Sequence, residues 1–187
     1  MVVSETRDGQ IGRKCAKTVA TVHNDDSVRA RRRYRRSVGR VNRDQTPGYR
    51  HVFSRGTGAA WFFVDDEDRR FFLQILERTS ERLSWTVQVY CLMTTHYHLV
   101  IHTQQPNLSI GLQRLNSSYV RAFNARWERF GTLVAGRFGC RTIEDERYLE
   151  TVCRYVLLNP VRANLCDHPS KWPWSGGAWA EVAFAEL

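Results

Sequence analysis

Two histidines, His96 and His98, stand two residues apart in a largely apolar segment, 92–101, and this pattern constrains the fold more than any other feature of the chain. Apolar residues on both sides of the pair favour a β-strand, in which alternate side chains point to opposite faces. Both imidazoles then share one face with His102, while Tyr97 points to the other. Two imidazoles on one face can bind one metal ion, although they can equally be polar residues of a half-buried strand.

Composition indicates one domain that folds in water. The 187 residues are 42% hydrophobic, enough to bury a single core. No segment approaches the ~20 consecutive apolar residues of a membrane helix, and the first residues lack the apolar stretch of a secretory signal. The five cysteines are odd in number and widely spaced, which argues against a disulfide framework or a thiolate zinc site. We therefore expect a soluble, cytoplasmic protein without a membrane partner.

Positive charge is concentrated near the start of the chain. Residues 1–47 contain twelve Arg and Lys against five Asp and Glu, whereas residues 48–187 contain sixteen against fourteen. We expect residues 1–46 to form a basic, disordered leader, residues 47–178 to form the folded domain, and residues 179–187 to form a C-terminal tail. The leader can contact nucleic-acid phosphates or be a dispensable extension, and the sequence leaves both interpretations open.

Hydrophobic periodicity predicts alternating short strands and amphipathic helices. The Thr94–Thr95 turn separates two strands of similar length, which predicts an antiparallel pair. Asn159 and Pro160 end the last helix, because proline disfavours helical backbone at the residue before it. The order of elements predicts an α+β fold, a ferredoxin-like or RRM-like antiparallel sheet with helices packed on one face. The predicted elements are strand 49–54, helix 65–83, strands 85–93 and 96–103, helix 109–130, strand 133–143 and helix 144–158.

The last predicted helix carries a second candidate for chemistry. Tyr155 and Asn159 are four residues apart, so their side chains are neighbours on one flank of the helix. Tyr148 lies two turns earlier on the same flank. Spacing alone favours a structural role, with tyrosine rings at the core boundary, their hydroxyls in water, and Asn159 capping the helix end.

Several separated blocks of the chain resemble the REP-associated tyrosine transposases. These proteins belong to the HUH class of single-strand DNA nucleases and transposases, named for a histidine, a hydrophobic residue and a histidine. Here the motif is His96, Tyr97 and His98, and a second block runs from Tyr155 to Ala163. The blocks occur in the same order as in the family and cover most of the predicted domain. The others are 48–56, 65–70, 72–73, 93–99, 136–138, 148–149 and 172–175.

The resemblance implies a chemistry and the residues that perform it. It implies that His96 and His98 hold a divalent metal, Mg²⁺ or Mn²⁺, and that Asn159 supplies a further oxygen ligand. Tyr155 corresponds to the single catalytic tyrosine, which attacks a phosphodiester to give a 5′-phosphotyrosine and a free 3′-hydroxyl. The implied function is cleavage and rejoining of single-stranded, hairpin-bearing DNA by a transposase or endonuclease. Relatives act on repetitive extragenic palindromes, as monomers or homodimers.

Contacts with the substrate are less specified by the sequence. Arginines outside the leader can follow the DNA backbone. Trp172 and Trp174 can stack on unpaired bases or seal the core, and we prefer the second interpretation. Two other functions remain open: a domesticated nuclease that processes chromosomal repeats without transposition, and a non-catalytic regulator that binds nucleic acid. The candidate DNA-binding residues are Arg114, Arg121, Arg126, Arg137, Arg141 and Arg162.

Overall fold

The computed structural model describes residues 46–58 and 61–184, so the predicted leader lies outside it except for Thr46. No helix in these two ranges is both long and apolar enough to cross a membrane. The strands are β1 (Gly48–Arg55), β2 (Trp85–Leu92), β3 (His96–Thr103), β4 (Gly139–Ile143) and β5 (Ser175–Gly176). The helices are α1 (Asp66–Leu83), α2 (Leu108–Arg126), α3 (Glu146–Leu157), α4 (Asn159–Arg162) and α5 (Ala180–Phe184), with a 3₁₀ turn at Pro169–Lys171.

The strands form one antiparallel sheet in the order β4, β1, β3, β2, β5, so β3 lies at its centre. Strand β3 pairs along its whole length with β1, from Gly48 opposite Thr103 to Arg55 opposite His96. On its other side it pairs with β2, which contains one β-bulge. The predicted antiparallel pair on either side of the Thr94–Thr95 turn is therefore confirmed, and β1 provides the second neighbour of the histidine-bearing strand.

The first face of the sheet packs on α1 and α2. Tyr97, Leu99 and Ile101 of β3 point to this face and are fully buried. The hydroxyl of Tyr97 donates a hydrogen bond to Oδ1 of Asn116 in α2 at 3.0 Å, which satisfies the one polar atom that this side chain brings into the core. Burial of an apolar side chain of this size contributes about 1.5–3 kcal/mol to folding. This face therefore contains the larger of the two apolar clusters.

The second face of the sheet is covered by α3. Val100 of β3 packs in a separate apolar cluster with Val152 and Val156 of this helix. The α+β class and the antiparallel sheet are confirmed, but the sequence predicted helices on one face, and α3 occupies the other. The physical reason is the run Leu99–Ile101, because consecutive apolar residues in a strand require cover on both faces. Helix α3 therefore lies over the face that carries the histidine pair.

Helix α2 ends before its predicted boundary. Glu128 has a φ of 48° and Gly131 a φ of 89°, so the backbone has left helical geometry by this point. The chain then makes a single β-bridge from Val134 to Gly56 before β4 begins. Only the last five residues of the predicted strand 133–143 belong to β4 as a result.

The residues assigned to a C-terminal tail include α5. Its Ala180 and Ala183 are buried in the same cluster as α3. Helix α5 therefore packs on the fold at positions that the sequence analysis assigned to the tail.

Gly111 lets α2 approach β2 closely. A methyl group at this position would overlap the indole of Trp85 and the side chain of Leu83. We expect Gly111→Ala to lower the free energy of unfolding by about 1–3 kcal/mol, although alanine is the better helix former by about 1 kcal/mol. Urea denaturation measures the change, and Ser117→Ala at an exposed position of the same helix is the control. Equal stability of Gly111→Ala and the wild type would contradict this packing.

Candidate active site

The paired histidines lie on the second face of β3. Alternation along the strand puts the rings of His96 and His98 next to each other, with 5.1 Å between their centroids. His98 is 8% exposed, whereas His96, at the start of the strand, is half-buried. The Nδ1 atom of His96 lies 3.0 Å from the hydroxyl oxygen of Thr95. The strand thus presents two adjacent imidazoles at the end nearest the turn that precedes it.

A third imidazole comes from β1, where the sequence analysis did not place one. His51 is buried, and its Nε2 atom lies 3.0 Å from Nδ1 of His98. The strand register produces this contact, because Phe53 pairs with His98 and His51 pairs with Val100 on the same face. His51 and His98 are 47 residues apart in the chain, and periodicity within one strand carries no information about which distant strand will pair with it. Only the β1–β3 register could have revealed His51.

His102 is not part of this group. It lies on the second face, as alternation requires, but its ring packs against Tyr49 with 4.5 Å between centroids. It lies four positions from His98 along β3, which corresponds to roughly 13 Å. The third imidazole near the pair is therefore His51 and not His102.

Helix α3 brings Tyr155 over the histidines. Its ring lies edge-on to those of His51 and His98, with centroid distances of 6.1 and 6.0 Å. Val152 and Val156 are buried on the core side of the helix, and this sets the rotation that turns Tyr155 toward the histidine-bearing face. Tyr155 remains 42% exposed, so a polymeric substrate can reach it.

Tyr148 occupies a different position on α3. It lies seven positions before Tyr155, which corresponds to roughly 10 Å along the helix axis. It is 41% exposed, and within the described part of the chain no ring contact joins it to a histidine. Of the two tyrosines on this flank, the structure brings Tyr155 to the imidazoles.

Asn159 begins α4 and caps the end of α3. Its side-chain amide donates hydrogen bonds to the carbonyl oxygens of Tyr155 at 2.8 Å and Val156 at 3.3 Å. These bonds satisfy carbonyl groups at the helix end, which is the capping role that the spacing favoured. They also hold the amide beside the turn that carries Tyr155. The side-chain oxygen Oδ1 is the atom of Asn159 that has the chemistry of a metal ligand.

The three imidazoles of the site are neutral at neutral pH. Burial lowers the pKa of His51 to about 4, with a further contribution from the charge of Arg141. Burial and the charge of Arg55 lower the pKa of His96 to about 4. Burial and the neighbouring imidazoles hold the pKa of His98 well below 6.5. Neutral imidazoles have the free lone pair that a metal ligand must offer.

These pKa values make the stability of the metal-free protein depend on pH. The histidines of the unfolded chain titrate near 6.5, so between about pH 6.5 and pH 4 the unfolded state binds more protons than the folded state. The stabilisation that comes from these neutral histidines is therefore expected to be complete above pH 6.5. The free energy of unfolding is expected to fall as the pH is lowered toward 4. Thermal denaturation across this window measures the fall, which His51→Gln should reduce. A constant Tm through the window would contradict the burial of neutral histidines.

Three arginines lie around the site. The guanidinium of Arg162 lies over the ring of Tyr155, 5.0 Å from its centroid. Arg141 of β4 pairs across the strands with His51, and Arg55 stands at the end of β1 beside the histidine pair. The positive charge of this rim suits an anionic substrate such as a phosphodiester.

Three of the other arginines considered for DNA binding lie on α2, and so on the face of the sheet opposite the histidines. Arg126 joins the end of α2 to the start of α1 through ion pairs of 2.7 Å with three carboxylates. Its guanidinium is therefore committed to contacts within the fold, and this geometry does not favour a DNA contact. Arg114 and Arg121 are exposed on α2, which covers the first face, and Arg137 is exposed in the loop before β4. The carboxylate partners of Arg126 are Asp65, Glu67 and Asp68.

Trp172 and Trp174 both pack against the core. Trp172 donates a hydrogen bond from Nε1 to the carbonyl oxygen of Leu92 at 3.2 Å and packs against the second apolar cluster. Trp174 packs against the first cluster, and the guanidinium groups of Arg69 and Arg70 lie 5.6 and 5.9 Å from its ring centroid. These contacts agree with the structural interpretation rather than with base stacking.

The donor groups of the site suit a catalytic cation better than a structural one. Within residues 46–58 and 61–184, no group of three or more His, Cys, Asp or Glu side chains converges to hold a metal ion. A cation held by the neutral imidazoles of the pair would keep coordination positions for substrate and water. Such a partial ligand set fits a divalent cation that binds together with the phosphate of a substrate.

An antiparallel sheet whose histidine pair faces a tyrosine on a covering helix fits the class of DNA transposases. Residues 49–159, more than half of the chain, match the sequence pattern of the family described as "Transposase IS200 like". The chain belongs to this family, and the transposase resemblance drawn from its sequence is confirmed.

A solved structure supports the fold. The chain is similar to a REP-associated tyrosine transposase whose structure was solved bound to a REP hairpin, with a TM-score of 0.61 and 12% sequence identity. The match covers 69% of this chain and 76% of that one. At this identity the similarity shows the shared fold. Comparison with curated proteins gave no match.

Proposed function

We propose that this protein is a metal-dependent single-strand DNA transposase that cleaves and rejoins hairpin-bearing DNA through a 5′-phosphotyrosine on Tyr155. The observation that carries the proposal is the position of Tyr155, edge-on to His51 and His98 at about 6 Å between ring centroids. Membership of the IS200-like family supports a DNA transposase. The hairpin substrate is proposed by analogy with the similar transposase that was solved bound to one.

His96 and His98 would hold the cation, Mg²⁺ or Mn²⁺, with Oδ1 of Asn159 as a further ligand. Transposases of this family generally use a divalent metal. When bound, such a cation neutralises charge on the non-bridging oxygens of the phosphate and favours the ionised form of a nearby hydroxyl. Support for these ligands comes from the neutral state of the imidazoles and from the amide that caps the turn of Tyr155.

Tyr155 supplies the nucleophile. Its phenolic oxygen forms a bond to phosphorus while the bond between phosphorus and the 3′-oxygen of the preceding nucleotide breaks. The phenolic proton passes to solvent, and the departing 3′-oxygen takes up a proton and becomes a hydroxyl. The protein–DNA bond is itself a phosphodiester, so a 3′-hydroxyl from a second strand can reverse the step. Cleavage and rejoining therefore need neither ATP nor an organic cofactor.

The arginine rim would position the DNA backbone. Arg162 lies against the ring of the nucleophile, and we assign it to the phosphate that Tyr155 attacks. Arg141 and Arg137 would contact neighbouring phosphates, with Arg114 and Arg121 reaching DNA outside the site. Contacts of this kind fix orientation and give salt-dependent affinity, but they do not read sequence.

The non-catalytic alternative has less support from the fold. Sheet-based readers of RNA stack bases on aromatic side chains of an open sheet face. In this fold α1 and α2 cover one face of the sheet and α3 covers the other. A domesticated nuclease would use the same residues as a transposase, so only the reaction products separate these two functions.

A hairpin oligonucleotide with single-stranded flanks, taken from inverted repeats beside the coding region, tests the proposal in the presence of Mn²⁺. With a 3′ label, we expect labelled protein that survives denaturing electrophoresis. With a 5′ label, we expect a free fragment whose 3′-hydroxyl a polymerase extends. Joined ends from two substrates indicate transposition, and nicks alone indicate a nuclease. Absence of any adduct, or an adduct that carries the 5′ label, would contradict the proposed chemistry.

A further inference from the structure

In both histidines of the pair, the same ring nitrogen already has a partner. Nδ1 of His98 lies 3.0 Å from Nε2 of His51, and Nδ1 of His96 lies 3.0 Å from the hydroxyl oxygen of Thr95. Among the described residues, the nitrogen of each ring without such a contact is Nε2. The two imidazoles therefore have matching arrangements, although one partner comes from the adjacent turn and the other from β1.

The contact between His51 and His98 requires one shared proton. Two lone pairs that face each other at 3.0 Å repel, and two N–H groups clash, so one ring must donate to the other. If His51 donated, His98 would carry its own proton on Nε2, and neither of its nitrogens would be free for a ligand. If His98 donates from Nδ1, its Nε2 lone pair is available.

No other cross-strand neighbour of His98 can take this proton well. Phe53 pairs with it on β1 and Cys91 pairs with it on β2. A phenyl ring is a poor acceptor, and the thiol of Cys91 is directed to the sulfur of Met93 at 3.6 Å. His51 is therefore the acceptor that the fold provides.

We propose that His51 is a positioning residue that holds His98 in the Nδ1–H tautomer, so that His98 presents Nε2 to the divalent cation, and that the hydroxyl of Thr95 does the same for His96. The inference rests on the proposed function for the identity of the ligand, but the tautomer itself belongs to the metal-free protein. Partners of this kind fix ring orientation and raise ligand basicity, and their loss typically lowers metal affinity 10- to 100-fold.

Burial and packing give His51 the rigidity that this role requires. It is 6% exposed, and its ring lies beside that of His98 with 5.2 Å between centroids and 29° between planes. Phe53 lies on the same strand, 5.4 Å away by ring centroids, and limits rotation of the imidazole. The acceptor nitrogen therefore stays in one place relative to β3.

Nitrogen NMR of the metal-free protein tests the tautomers directly. With ¹⁵N-labelled histidine above pH 7, where the rings are neutral, we expect the shifts of His96 and His98 to show a protonated Nδ1 and an unprotonated Nε2. His51→Leu should allow His98 to adopt either tautomer without changing the tautomer of His96. Thr95→Val should allow His96 to adopt either tautomer without changing that of His98. A wild-type His98 protonated on Nε2 would overturn the inference, whether or not the protein binds metal.

Calorimetric titration with Mn²⁺ gives the second readout. We expect His51→Leu to weaken binding roughly 10- to 100-fold, and His51→Gln to stay within a few-fold of wild type because its amide oxygen can accept the same hydrogen bond. Thr95→Val should weaken binding and Thr95→Ser should restore it. Matched controls are His102→Leu, on the same face of β3, and Thr94→Val, one residue earlier in the turn.

The outcomes separate the inference from the proposed function. A wild type that binds no Mn²⁺ contradicts the metal-dependent function, while the tautomers measured without metal still decide the role of His51. A wild type that binds and a folded His51→Leu with equal affinity overturn the positioning role. Equal losses in His51→Gln and His51→Leu also overturn it, because they would make His51 itself a ligand.

Discussion

Tyr155→Phe is expected to abolish formation of the covalent protein–DNA product. Removal of one oxygen atom eliminates the nucleophile and leaves the ring and its packing against His51 and His98 in place. We expect adduct formation to fall by at least about a thousandfold, as it does when a covalent catalyst loses its nucleophile. Denaturing electrophoresis with a 3′-labelled hairpin oligonucleotide measures the loss, while a gel-shift assay should show that hairpin binding is retained.

Tyr148→Phe is the matched control for this variant. Tyr148 lies on the same helix with nearly the same exposed fraction, yet its ring has no contact with the imidazoles in the described residues. We expect adduct formation close to that of the wild type. An adduct that persists in Tyr155→Phe and disappears in Tyr148→Phe would transfer the catalytic role to Tyr148.

His98→Ala is expected to have the second large effect. It removes a ligand from the centre of the pair and leaves Nε2 of His51 without its partner. We expect cleavage to fall by at least about a hundredfold and Mn²⁺ binding to be lost, because the remaining groups of the site offer one imidazole fewer. The cleavage assay and calorimetric titration measure the two effects separately, and circular dichroism checks that the variant is folded.

His102→Ala shows whether this loss is specific. His102 lies on the same face of the same strand, but it packs on Tyr49 at the far end of β3 from His96. We expect its replacement to leave cleavage and Mn²⁺ affinity near the wild-type values. A loss in His102→Ala as large as that in His98→Ala would show that the histidine pair has no special role.

Local sequence patterns were sufficient to predict the elements that frame the site. Strand alternation put His96 and His98 on one face, and helical spacing put Tyr155 and Asn159 on one flank of the last predicted helix, although the structure begins α4 at Asn159. These patterns depend only on neighbours within the same segment, which is why they can be derived from one sequence. The blocks that resemble the transposase family then related the histidine-bearing strand to the helix of Tyr155, which periodicity alone could not do.

Features that depend on contacts between distant segments were not predicted. His51 reaches His98 only because β1 and β3 pair in one particular register, and a shift of one residue would turn it to the opposite face. The cover of the second face by α3 depends on where the chain returns after β4. Arg126 was considered for DNA binding because its charge is visible in the sequence, whereas its three carboxylate partners on α1 are not adjacent to it in the chain.

Mass spectrometry of the covalent product tests the central claim most directly. Trypsin cleaves after Arg147, Arg154 and Arg162, so Tyr148 and Tyr155 fall in separate peptides, 148–154 and 155–162. After nuclease digestion of the bound DNA, we expect a nucleotide linked through its 5′-phosphate to the tyrosine of peptide 155–162. A nucleotide on peptide 148–154, or linkage to any residue other than Tyr155, would contradict the account.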